Sequence, residues 1–174
     1  MPTRKNTMQS AILAQAIWIM GDFLTKESAW HDKEVEAFAD AVTTMSLNSK
    51  SKEVRGAAQY LVDNNDNDEF SMSDEHYRTI NKKLDECKAV LEGMKPESSA
   101  RFLFWLAQVG KHVSVAKPSG WFAGGNSKMS EKQLKAFGMV LMSVYPGSVM
   151  KLVMGKNEIN PFLAIEIWAE KNGA

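Results

Sequence analysis

DKEVEAFADAVTTM (residues 32–45) and EKQLKAFGMVLMSV (residues 131–144) decide the fold. In the first, Val35, Phe38, Ala39, Val42 and Met45 recur at three- and four-residue steps. In the second, Leu134, Phe137, Gly138, Leu141 and Val144 recur at matching positions. That period puts each set on one face of an α-helix. The polar residue before each set is Glu34 or Gln133. An apolar segment and a polar break precede each run: Ala11 to Leu24 before the first, Phe102 to Val113 before the second, with the second break the longer. We read this as a helix-break-helix unit that occurs twice.

The flanking chain fits that plan. Residues 1–7 are polar and are expected to be unstructured. Leu13, Ala16, Ile17, Met20 and Leu24, with Ile12, Ile19 and Phe23 beside them, make a stripe so wide that the first helix, from about Met8 to Leu24, must be nearly buried. A second helix is expected from about Asp32 to Met45. A shorter one, from about Glu53 to Leu61, carries Val54, Ala57, Ala58 and Leu61. The stretch from Asp63 to Glu69 reads as a loop, because Asn and Asp side chains compete with the helix for backbone groups. Ser73 then caps a long helix with Tyr77, Ile80, Leu84, Cys87 and Leu91 inward, ending at Gly93. Pro96 and Glu97 open a helix to about Ser114. Ser130 and Gln133 form a capping box for the next, which ends near Pro146. Val149, Leu152 and Val153 suggest another turn or two. Asn160-Pro161 starts a last helix carrying Phe162, Ile165, Trp168 and Ala169. No stretch alternates with period two. The expected fold is all-α: a compact bundle of about six to eight helices built from two pseudo-symmetric repeats. It forms one domain over residues 1–174, with repeat one about 8–62, an inter-repeat loop at 63–72, repeat two about 96–154 and a C-terminal helix at 160–172.

At 174 residues, 24% of them charged and with a formal net charge of zero, the chain has no basic field to draw in nucleic acid or anionic lipid. A single cysteine, Cys87, points to a reducing compartment and, lying on an apolar stripe, to a buried thiol. Arg4 and Lys5 before an apolar stretch resemble a signal peptide. That stretch contains Gln15, lacks a small-x-small cleavage site and falls short of the ~20 residues that cross a bilayer. We therefore expect a cytoplasmic protein without an integral membrane segment. The eleven methionines are expected mainly to fill core gaps, a Met-rich docking groove being the alternative.

No motif assigns a reaction. His31, His76 and His112 have no metal-ligand spacing. The Gly-rich stretch from Lys117 to Gly125 lacks the pattern of a phosphate-binding loop. Its Trp121 and Phe122 are candidates for partner contact, or for plugging a gap between helices. The best metal candidate is the acidic loop. Asp63, Asn65, Asn67, Ser71 and Asp74 fall at calcium-loop positions and Phe70 takes the apolar eighth place, but Asp68 stands where the sharp turn calls for glycine.

In this order of elements the chain resembles the TerB-like family, the helical domain of tellurite-resistance and related stress proteins. An entry of Pro96, Glu97, Ala100 and Arg101 leads into the second copy. The resemblance implies a metal site built from acidic residues of the two breaks, where family members read Asp-Gly-Glu followed by a Ser-capped acidic helix start. Here the first copy keeps Glu27 and Glu34 but loses the glycine and the middle acid. In the second, Asn126, Lys128 and Gln133 replace the three carboxylates while Ser130 stays. Amides and an ammonium do not neutralise a hard cation, so the paired site is expected to be lost.

The resulting expectation is a non-enzymatic interaction or regulatory module that binds another protein, linked to stress or a mobile element, without a resident cofactor. One alternative is a Ca²⁺-responsive module using Asp63, Asn65, Asn67 and Asp74, helped by Glu27 and Glu34. Another is an enzyme with an inter-helix pocket near His112, Trp121 and Glu131.

Overall fold

The computed structural model describes residues 3–25, 32–70, 73–115, 129–155 and 160–174. Among the described residues there are eight α-helices and no strand: α1 (Arg4–Thr25), α2 (Asp32–Asn48), α3 (Lys52–Asn64), α4 (Asp74–Gly93), α5 (Pro96–Val115), α6 (Glu131–Val144), α7 (Gly147–Val153) and α8 (Pro161–Asn172). A 3₁₀ turn, Asp68–Phe70, joins α3 to α4. The protein is an all-α helical bundle.

α1 lies at its centre, against α3, α4, α5 and α6. Its Leu13, Ala16, Ile17, Ile19 and Met20 are wholly inaccessible, as the width of the stripe requires. Burying each of the larger ones contributes about 1.5–3 kcal/mol. α5 is the second core helix, with Phe102, Leu103, Leu106, Val109 and Val113 inaccessible. α2 lies on α3 and α5, and α6 lies on α1 and α4, while α1 makes only slight contact with α2. α1 also packs on α3 and α4, as α5 packs on α7 and α8.

The capping signals hold atom by atom. Ser73 and Asn160 each accept a backbone N–H with the side chain, and the Ser130–Gln133 box closes in both directions; Ser51, not read as a cap in the sequence, does the same for α3. The last helix is fastened at its far end. Arg101 donates to the carbonyls of Asn172 and Gly173 and stands 5.3 Å over the Trp168 ring, and the Lys50 amide donates to Ala174.

Several expectations need correction. Residues 4–7 are not unstructured: Thr3 accepts the Asn6 amide with its hydroxyl and the Thr7 amide with its carbonyl, so α1 starts at Arg4. α3 runs on through Asp63 and Asn64 before the acidic stretch turns away. The buried faces of α2 and α6 lie one residue off the expected stripes. Val35 and Leu134 are 44% and 59% exposed, Ala39 is exposed too, and Glu34 and Gln133 are buried in their place. On α4 the inward position belongs to His76, with Tyr77 half-buried beside it. Among the described methionines only Met20 and Met45 are buried; Met8, Met139 and Met142 are exposed.

Phe38 and Phe137, matched in the sequence, are both buried and each meets another ring edge-on, with centroids 6.0 and 5.8 Å apart. Their partners are Trp18 of α1 and Phe162 of α8, which are not equivalent helices in the two halves.

Candidate functional site: a polar cleft between α1 and α4

Besides Thr25 at its last position, α1 buries two polar residues, Gln15 and Asp22, and α4 carries buried His76 and half-buried Lys83. Within each helix the pair is seven residues apart, two turns, so both members share a face. α1 and α4 lay these faces together. Asp22 Oδ2 stands 3.7 Å from His76 Nε2, both residues being almost completely buried. Lys83 Nζ is 3.2 Å from His76 Nδ1. An ammonium only donates, so Nδ1 is the accepting nitrogen and the imidazole proton resides on Nε2, facing Asp22. Tyr77 also hydrogen-bonds Asp22.

Burial depresses the His76 pKa. The Lys83 charge acts in the same direction and Asp22 opposes both. Lys83 is lowered by its own burial, against the pull of Glu75, Glu69 and Glu86. The row therefore runs carboxylate, neutral imidazole, ammonium, and it opens onto a cleft of about 500 Å³. The cleft floor is Ala11, Ile12 and Gln15. Its walls carry four carboxylates, Asp68, Glu69, Glu75 and Glu86, against two ammonium groups, Lys82 and Lys83. Gln15 Nε2 donates to the Glu69 carbonyl at 2.9 Å, and the Tyr60 hydroxyl donates to the Glu69 carboxylate at 2.7 Å, so the 3₁₀ turn is held against the cleft by two bonds. The nearby Ser73 hydroxyl accepts the His76 amide as the cap of α4.

This site has no motif in the sequence. His76 lacks ligand spacing in the sequence, Gln15 reads only as an interruption of an apolar run, and Asp22 draws no reading there. The available signal was the seven-residue spacing of polar residues within two apolar stripes.

The residues that the sequence singled out are placed differently. Gln59 donates to Asp63, Asn65 donates to the Val62 carbonyl, and Asn67 donates to Asn64 Oδ1. The amide nitrogens of Asn65 and Asn67 thus bond within the acidic loop and its flanking helix. Among the described residues no three Asp, Glu, His or Cys side chains gather as metal ligands. Glu34 is fully buried in the first turn of α2. Glu27, Trp121 and Phe122 lie outside the described residues, as do Ser71, Asn126 and Lys128. His112 lines a separate groove of about 450 Å³ with Phe104, Trp105, Gln108 and Lys111; Glu131 is not part of it. Cys87 is wholly buried on α4.

The second-copy position Gln133 has a structural use. Its Oε1 accepts the Ser130 amide at 3.1 Å, and its Nε2 donates to the Leu24 carbonyl at the end of α1, also at 3.1 Å.

The chain matches no known protein family, no curated protein and no solved structure. No single helix among the described residues is long and apolar enough to cross a membrane.

Proposed function

We propose that this chain is a non-enzymatic interaction or regulatory module of TerB-like layout, acting on another protein in the cytoplasm. The supporting observation is the reciprocal packing, α2 on α5 and α6 on α1, which is the arrangement expected of two helix-break-helix units closing over a shared interior. Smaller correspondences support it. Thr25 and Ser114 lie near the ends of α1 and α5, and each donates to the carbonyl of the glycine four residues back, Gly21 or Gly110. Asp22 meets α4 where Lys111 of α5 forms an ion pair with Glu166 of α8. The family's acidic metal position in the second copy is Gln133 here, and both ends of its amide bond the backbone. That argues against a metal at this position.

The outer face of α6 offers such a partner Leu134, Met139 and Met142. A photo-crosslinking residue at Met142 should give one discrete adduct in expressing cells, suppressed by excess unmodified protein. The same residue at exposed Asp85 should give none. Identical adduct patterns at both positions would remove the interaction reading. Turnover in an unbiased substrate screen, abolished by one polar substitution, would remove the non-enzymatic one.

A further inference from the structure

We propose that the α1–α4 cleft binds an aliphatic polyamine, seating a primary ammonium on Gln15 Oε1 beneath the carboxylates of Glu69 and Glu75. Gln15 is 9% exposed and lines the cleft floor. Its Nε2 is bonded to the Glu69 carbonyl, which fixes the amide so that Oε1 is the atom left for a ligand. Oε1 is buried and has no hydrogen-bond partner among the described residues. A buried acceptor of this kind costs stability unless an N–H or O–H reaches it.

The charge of the walls selects the donor. Carboxylates outnumber ammonium groups, and one cation, Lys82, is already paired with Glu86 at 3.9 Å. The cleft also holds an internal example of the chemistry: Lys83 places an ammonium among Glu69, Glu75 and Glu86. A metal ion fits less well, because no three acidic or imidazole side chains among the described residues converge. An ammonium needs only scattered acceptors, one per N–H. A cleft of about 500 Å³ is in the range of small-ligand sites. The inference is independent of the proposed protein partner, since α6 and the cleft are separate surfaces.

Titration calorimetry of the whole chain with spermidine at about 0.15 M salt tests it. The expected result is saturable binding together with a shift of the Gln15 side-chain amide resonances. Tetramethylammonium, a cation with no N–H, should bind at least about tenfold more weakly, and Gln15→Leu should weaken spermidine by about tenfold. Should Gln15→Leu not fold, Glu75→Gln, at an exposed position, should lower affinity in the folded protein. The proposal is overturned if spermidine fails to bind, if tetramethylammonium or Mg²⁺ binds as well as spermidine, or if the Gln15 resonances stay fixed. Unchanged affinity in Gln15→Leu, or in Glu75→Gln where that variant is the one that folds, also overturns it.

Discussion

Gln133 donates from Nε2 to the carbonyl of Leu24, 3.1 Å away, and so joins the first turn of α6 to the last turn of α1 across 109 positions of chain. The last carbonyls of a helix have no partner within it, so this bond satisfies one of them from outside. It also explains why an amide suits the position. Glu at residue 133 would keep the capping box, since its carboxylate can accept the Ser130 amide, but it would point an acceptor at the Leu24 carbonyl.

Gln133→Glu should therefore destabilise the protein by about 1–3 kcal/mol, although Glu is as good a capping-box residue as Gln. Gln133→Ala, which loses both bonds, should cost a similar amount. Urea unfolding of the two variants checks this. A Glu variant as stable as the parent would show that the Leu24 bond contributes nothing.

Gly110 lets α5 and α6 approach closely. A Cβ there would stand 2.8 Å from Phe137 and 3.0 Å from the Met20 sulfur. The Phe137 ring is buried and has little room to retreat, so Gly110→Ala should destabilise by about 1–3 kcal/mol despite alanine's better helix propensity. A gain in melting temperature would contradict this packing.

His76 makes stability depend on pH. Its pKa in the fold lies below the ordinary 6.5, chiefly because the ring is buried. Below about pH 6.5 the unfolded chain takes up a proton that the folded chain still refuses. Stability is then fully present above 6.5 and falls as the pH drops towards the depressed folded value. Melting temperature should fall more steeply on acidification in the parent than in His76→Gln. Parallel curves would mean that His76 is not the titrating group.

The Cys87 thiol is wholly enclosed, and burial pushes its pKa far above the usual thiol range. Iodoacetamide should leave it unmodified in the native protein at about pH 8 and alkylate it once denaturant is added. Rapid labelling without denaturant would refute this burial.

Helix type and most helix ends were legible because they are local. Ser73, Ser130 and Asn160 cap where their sequence contexts say they should, and the spacing of Ile80, Leu84, Cys87 and Leu91 identifies one inward face. Hydrophobicity alone misplaced the neighbouring faces by one residue, because tertiary contacts call for polar atoms at certain points. Gln133 is buried to reach Leu24, and His76 is buried to meet Asp22. Leu134 is displaced to the surface beside Gln133 as a result. The cleft was not legible because its members come from two helices more than fifty residues apart. Periodicity describes one helix at a time and does not say which helix it will face.

The central position of α1 has a consequence for synthesis. Its apolar sides are covered by α3, α4, α5 and α6, the last of which is made about a hundred residues later. At ordinary elongation rates a growing chain carries that greasy helix without its full cover for on the order of ten seconds. How much protein a cell recovers thus depends on what shields α1 while α6 is still being translated.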